Sequence, residues 1–316
     1  MRILVTGGAG YIGSHTVRAL IEHGLEPIVL DDLSRGHREF IPEGIKFFER
    51  SILDTEFITE VLVREKIEGV IHFAALSNIG EDSRIPLKYY SVNVGGSVSL
   101  LSAISAAGVK RIVVSSSAAV YGLAKKDVIH EEDECAPVSI YGETKLIMEN
   151  CLRACSNQKY SWMALRYFNA AGAAEDGKIG EKHNPETHLI PLALKAVMGS
   201  GNPLTIFGTD HPTPDGTPIR DYVHVDDLAE AHVAAILSKE SGVVNLGTGS
   251  GNSVKDVLDL IEEITGTKVP MLIGTRRAGD PPKLVASFDR AFQILKWKPR
   301  KDIRKIILSA WNWEQS

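Results

Sequence analysis

Hydrophobic positions in the first half of the chain come in short, nearly unbroken runs. Longer stretches separate them, in which apolar residues return every three or four positions. The runs at 2–6, 27–30, 45–48, 69–73, 111–114 and 162–166 predict β-strands covered on both faces. The stretches 12–22, 57–65, 89–107 and 141–156 carry the helical period. This alternation is the rhythm of βαβ units, so the predicted class is α/β with a doubly wound parallel sheet. The texture changes after Arg166: 170–186 is rich in Gly, Ala and charge, and 211–218 is a polar turn-forming stretch with three prolines. A helix is predicted over 188–197, a strand over 204–207, a further central strand over 243–246, and a helix over 253–264 with Ser253 as N-cap. We expect a first domain over 1–169, with later segments near 221–264 returning to it, and a smaller, discontinuous second lobe drawn mainly from 170–316.

Composition narrows the classes of function. The 316 residues are 44% apolar and 24% charged with a formal net charge of -5, which offers no electrostatic reason to expect nucleic acid or an anionic membrane as partner. Met1-Arg2-Ile3-Leu4-Val5 runs straight into a glycine loop, so neither a secretory signal nor a membrane span is expected. Three cysteines, Cys135, Cys151 and Cys155, are too few and odd in number for a disulfide framework and fit a cytoplasmic protein. Cys151 and Cys155 share a helix face and read as packing residues.

Gly7, Gly10 and Gly13 follow the first strand and open the first helix, the setting in which glycines cradle a dinucleotide pyrophosphate. Gly7 permits the tight turn, Gly10 the close approach of phosphate, and Gly13 the packing of helix on sheet. Asp31, at the end of the second strand, suits an adenosine ribose and opposes the extra phosphate of NADP, so NAD is expected; nearby Arg35 keeps NADP as the alternative. Tyr141 and Lys145 lie four residues apart on one helix face, where an ammonium is expected to lower the phenol pKa and make a base. Ser115, Ser116 and Ser117 follow an apolar strand at the ligand-binding edge of the sheet, and spacing does not say which hydroxyl serves a substrate. His224-Val225-Asp226-Asp227 offers potential ligands, but Asp226 or Asp227 reads as a helix N-cap, and no metal site is expected.

Taken in order, these segments resemble the extended short-chain dehydrogenase/reductase superfamily, and within it the nucleotide-sugar 4-epimerases. The resemblance runs over essentially the whole chain, through GGAGYIGSHT at 7–16, VIHFAA at 70–75, SSSAAVYG at 115–122, YGETK at 141–145, RYFNAAG at 166–172, THLIP at 187–191, DGTPIRDYVHVDDLA at 216–229 and NLGTGSGNSV at 245–254. It implies a Rossmann-like domain holding NAD, a C-terminal lobe binding a UDP-sugar, and a homodimer formed by helices of the Rossmann domain. It implies Ser117, Tyr141 and Lys145 as catalytic residues. Cofactor contacts would come from Gly7, Gly10, Tyr11, Ile12, Gly13, Asp31, Asp32, Ile52, Phe73, Ala74, Ala75, Asn93, Ser115 and Tyr167, together with Tyr141 and Lys145. Substrate contacts would come from Ser117, Tyr141, Asn169, His188, Leu189, Thr205, Phe207, Arg220, Tyr222, Arg277 and Asp280. The implied activity is reversible C4 epimerisation of UDP-galactose and UDP-glucose, through transient hydride transfer to NAD and a 4-keto sugar.

Departures from common patterns in the family fall at Asp32, Ser51, Ser77 and Val92, all on the cofactor side. Leu284 stands where residue size bears on acceptance of an N-acetyl group. A 4-epimerase of another UDP-sugar (N-acetylhexosamine, pentose or uronic acid) and a non-catalytic NAD- or sugar-nucleotide-binding regulator therefore stay as alternatives. A nucleotide-sugar dehydratase is the less favoured alternative, because relatives of that class carry an Asp-Glu pair where this chain has Ala118-Ala119, which cannot move protons.

Overall fold

The structure, a computed structural model, describes residues 1–155, 160–277 and 280–316. The chain begins β1 (Arg2–Thr6), α1 (Tyr11–Glu22), β2 (Glu26–Asp31), β3 (Phe47–Glu49), α2 (Thr55–Arg64), β4 (Gly69–His72), α3 (Ile79–Asp82), α4 (Pro86–Tyr89) and α5 (Gly96–Ala107). It continues through β5 (Arg111–Ser117), α6 (Ile140–Cys155), β6 (Ser161–Tyr167), β7 (Asn169–Ala171), α7 (Leu189–Val197), β8 (Leu204–Phe207), β9 (Ile219–Arg220) and β10 (Tyr222–His224). The last elements are α8 (Val225–Leu237), β11 (Gly242–Leu246), β12 (Asn252–Ser253), α9 (Val254–Thr265), β13 (Met271–Gly274), β14 (Lys283–Leu284), α10 (Asp289–Leu295) and α11 (Ile303–Glu314).

Among the described residues, seven strands form one parallel sheet in the order β11-β6-β5-β4-β1-β2-β3. The expected doubly wound α/β class is what is found. The order reverses between β1 and β4, which opens a ligand crevice at their C-terminal ends. One face is covered by α1 and α8, whose Leu20, Leu228 and Val233 join Val5, Val113 and Leu165 of the strands; α10 adds Ala291 and Leu295. The other face is covered by Ile58 and Leu62 of α2, Leu100 and Ile104 of α5, and Met148 and Leu152 of α6. A separate core joins α7, α9 and α11 through Leu194, Val257, Ile261, Ile306 and Ile307.

Several local expectations shift for identifiable reasons. The third strand is Phe47–Glu49 because Ile45 closes a turn onto the Pro42 carbonyl. Helix α2 starts earlier because Asp54 caps it, accepting from the Phe57 amide at 3.1 Å. The helix expected over 89–107 is helical throughout but not uniformly α: α4 runs through a π turn at Tyr90–Gly95 directly into α5. Helix α6 is described to Cys155, and the expected last residue, Ser156, lies outside the described residues. Ser253 does cap α9, in a capping box with Asp256. Neither Asp226 nor Asp227 is an N-cap: His224 caps α8 by accepting from the Asp226 amide, Asp226 pairs with His15 and Lys301, and Asp227 accepts from the Arg300 and Lys301 amides.

Candidate functional site

The loop after β1 is pressed against the loop after β4. Gly7 has φ +72°, and a Cβ there would lie 2.5 Å from the Ala74 amide nitrogen. A Cβ on Gly13 would lie 2.2 Å from the Gly7 carbonyl oxygen, so the demand for glycine comes from the loop itself rather than from the expected packing of helix on sheet. Gly10 is the N-cap of α1 and brings no side chain to it, leaving the first amides of Tyr11, Ile12 and Gly13 for an anion. These features fit a dinucleotide pyrophosphate. The Tyr11 hydroxyl donates to the Gly172 carbonyl at 2.5 Å, tying this helix to the strand-end segment after β7.

Asp31 ends β2 with its carboxylate buried, accepting from the Ala9 amide at 3.0 Å and the Leu33 amide at 2.9 Å. Burial raises its pKa against those two bonds. Each oxygen keeps accepting capacity for a ribose hydroxyl. Asp32 is turned to the backbone and hydroxyl of Ser34. Arg35, the residue that would welcome NADP, is held by Glu81 at 2.8 and 2.9 Å and by the Asn184 carbonyl.

Other expected cofactor residues make more structural contacts than their spacing implies. Ile52 is buried against Gly96. Ser51 accepts from the Leu53 amide, Phe73 packs on His232 at 4.6 Å between ring centroids, and Ala75 is half-buried. Asn93 is buried in the π turn with its amide fully engaged, accepting from the Leu76 amide and donating to the Leu76 carbonyl and the Thr144 hydroxyl. It positions the β4 loop against α6. Val92 packs beside Tyr141, and Ser77 is exposed.

Strand β5 extends through all three serines, and the structure separates their roles. The Ser115 hydroxyl accepts from the Tyr167 phenol and its carbonyl accepts from Lys145 Nζ at 2.7 Å. The Ser116 hydroxyl donates to the buried Glu149. Ser117 is the half-buried one, capping the turn at Ala118–Tyr121 and interacting with the Tyr141 phenol. Tyr141 and Lys145 sit buried on one face of α6, with Nζ 5.7 Å from the phenol ring centroid.

The expected lowering of the Tyr141 pKa is reversed in the chain alone. Burial pushes the phenol up to about 12, with only Ser117 working the other way. Burial also pulls Lys145 down to about 8, opposed by Glu149. Spacing could not show this because it does not report burial. Behind the pair lies a network that sequence reasoning missed: Arg166 of β6 forms a two-pronged bond to Glu149 and also donates to the Tyr121 hydroxyl.

On the second lobe, Asn169 donates twice to the Asp221 carbonyl, through its amide nitrogen and its side chain, and Tyr222 is buried beside it in β10. Asp221, also not anticipated, accepts from Thr248 and Ala286, and burial raises it to about 6. Arg220 donates to Asp280 at 2.5 Å. The Arg277 guanidinium lies 3.9 Å above the Phe207 ring, and Thr205 shares strand β8 with that ring. Arg276, Arg277 and Asp280 line a cavity of about 480 Å³ with Leu123, Ala124, Pro281 and Pro282. Leu284 pairs in register with Arg220 and packs by Val120, Tyr121 and Ile129. Leu189 opens α7 half-buried, whereas His188 is drawn to Glu181 and Glu186 at 2.5 and 3.4 Å.

Residues 3–247 match the model of the NAD dependent epimerase/dehydratase family. The chain belongs to that family. It is 46% identical to a UDP-glucose 4-epimerase of Lacticaseibacillus casei, an alignment covering 100% of this chain and 97% of that protein. A crystal structure of a UDP-glucose 4-epimerase superposes with a TM-score of 0.97 at 45% identity, covering 100% of this chain and 98% of that one. The structure of a UDP-glucose 4-epimerase from Bifidobacterium longum in complex with NAD+ and UDP gives a TM-score of 0.94 at 35% identity, covering 100% and 98%.

Proposed function

We propose that this family member is an NAD-dependent enzyme that reversibly epimerises UDP-galactose and UDP-glucose at C4. The observation that carries the reading is the buried Tyr141–Lys145 face of α6, set against Ser115 and Ser117 at the ligand edge of the sheet. The similarity over full length to UDP-glucose 4-epimerases supports the substrate class. Gly7, Gly10, Gly13 and Asp31 would hold the dinucleotide, and the engagement of Arg35 by Glu81 and Asn184 favours NAD over NADP. NAD, when bound, would supply the hydride acceptor for C4 and, as its oxidised ring, a positive charge.

The chain's own residues handle the proton and the sugar. Tyr141 takes the C4 hydroxyl proton and later returns it, and Lys145, held on the Ser115 carbonyl, supplies the neighbouring charge. Ser117 orients the hydroxyl. Arg220 and Arg277 suit the diphosphate, because a guanidinium fork pairs with oxyanions, and Asp280 suits the uridine ribose. Holding the substrate by its remote UDP leaves the sugar free to present either face. We assign 1–169 to the cofactor domain, with α8, β11 and α10 of the later chain returning to it, and most of the remainder to the UDP-sugar lobe; the pairing of β11 with β6 supports this, and the return is narrower than the expected 221–264 because α9 packs with α7 and α11. No helix among the described residues is long and apolar enough to cross a membrane, and three free cysteines fit a cytoplasmic location.

Proton NMR of the purified protein with UDP-galactose, first without and then with added NAD, tests the activity. Growth of the UDP-glucose anomeric signal is expected. Silence in both, with turnover of an N-acetylated, pentose or uronic-acid UDP-sugar instead, would replace the named substrate. In Tyr141→Phe, bound NAD should persist while turnover falls by about two to four orders of magnitude; unchanged turnover would remove Tyr141 as the base.

A further inference from the structure

Between β7 and α7 the sequence reads Glu181-x-His183-x-x-Glu186-x-His188, a spacing whose significance is not evident before the chain is folded. The fold gathers one donor atom from each of these four side chains within 4.8 Å of one another. Glu181 is the buried centre of the group, its side chain 5% exposed. The Nδ1 atoms of both histidines approach the same oxygen, Glu181 Oε1, at 2.5 Å for His188 and 3.2 Å for His183. The Glu186 oxygens stand 3.4 and 3.8 Å from the same two nitrogens.

These distances suit ion pairs, yet the directions do not suit hydrogen bonds. Glu181 Oε1, His183 Nδ1 and Glu186 Oε2 are buried atoms without a hydrogen-bond partner. A buried carboxylate oxygen left in that state is costly unless something else satisfies it. Four donors around one tetrahedral ion at 2.0–2.2 Å would be separated by about 3.3 Å, and the observed spacings scatter around that edge.

We propose that Glu181, His183, Glu186 and His188 form a site for a single divalent zinc-type ion. Two imidazoles with two carboxylates suit zinc; calcium and magnesium prefer oxygen donors throughout. Four protein donors fill a tetrahedron, which is the arrangement of a structural ion rather than a catalytic one.

The surroundings show what such an ion would hold together. The Tyr11 ring of α1 meets His183 edge-on at 6.2 Å between centroids, and Arg35 and His37 bond the Asn184 and Lys182 carbonyls. Trp313 of α11 donates to the Glu181 carbonyl, and His188 leads directly into α7. The ion therefore staples the segment that joins the cofactor side to the second lobe. His188, expected from resemblance to touch substrate, is a ligand in this reading. None of the other three donors is assigned to the proposed catalytic or binding machinery.

The 316-residue chain and its metal content provide the test. Wild type should carry about one zinc per chain by elemental analysis, or regain it after chelator dialysis when titrated with Zn²⁺. Its melting temperature should then rise by several degrees. Co²⁺ in place of zinc should give the intense visible absorption of a four-coordinate ion. His183→Gln and Glu186→Gln should each weaken binding at least about tenfold, while His130→Gln, at an exposed histidine outside the cluster, should not. Wild type that takes up no stoichiometric zinc, shows no cobalt spectrum and keeps its melting temperature overturns the proposal, whether or not the variants fold. Wild-type binding by both variants also overturns it.

Discussion

Lys145 works where its charge is costly. Its ammonium is buried, and burial holds its folded-state pKa near 8, below the ordinary value of 10.5. Between those values the unfolded chain binds more protons, so this group's contribution to stability rises with pH across that window. Below about pH 8 the full cost of the charge is present; above 10.5 it is gone. Lys145→Met removes the titration while keeping the bulk. The melting temperature of the NAD-free variant, measured against wild type, should therefore hold its greatest relative advantage at pH 7. That advantage should shrink steadily from pH 8 upward, and turnover should be lost throughout. A difference flat with pH would show that Lys145 is not the strained group. The phenol follows the same logic from the other side: burial raises Tyr141 to about 12, so for it to serve as the proposed base it needs positive charge placed around it.

Helix α6 can carry that pair only if it is held firmly on the sheet. The clamp is Arg166 of β6 bonded to Glu149 of α6, both essentially buried, with Ser116 donating to the same carboxylate. Arg166→Met would leave Glu149 in the interior without its cation, at a cost of about 3–5 kcal/mol. Denaturant unfolding should show that loss, and Arg166→Met with Glu149→Leu should recover part of it, because the orphaned charge is then gone. A smaller effect belongs to α9: Ser253→Ala breaks the capping box and should cost about 1 kcal/mol by the same measurement. Strands β1 and β8 were legible to the residue because an apolar run ending at a turn signal leaves little freedom. The helix over 89–107 was legible too, but not the π turn inside it, where Asn93 turns inward for Leu76 and Thr144, partners 17 and 51 residues away. That Tyr141 and Lys145 share one helix face could be read from helical spacing. The choice among three serines, the Glu149–Arg166 clamp and the donors of 181–188 depend on which side chains burial brings together.

The cofactor-side and substrate-side residues named for the proposed enzyme all lie on one chain. We propose that the chain is a homodimer through the helices over 86–107. Helix α5 supports this, because its sequence GSVSLLSAISAA contains no charge although it lies at the surface between α2 and α6. Its outward positions are Val98, Ser102, Ser105 and Ala106, with Val98 48% exposed, and Leu87 just before it is 81% exposed. A solvated helix face ordinarily carries charge; a face of small uncharged residues permits close helix–helix approach. Light scattering after gel filtration should therefore report twice the chain mass. Val98→Glu with Leu87→Glu buries two charges in that contact and should shift the mass to that of one chain. Because no residue of the proposed site lies on this face, the monomer should retain turnover within about threefold, with a lower melting temperature from the lost association. A monomeric wild type ends the dimer proposal, and a variant that stays dimeric moves the interface away from α5.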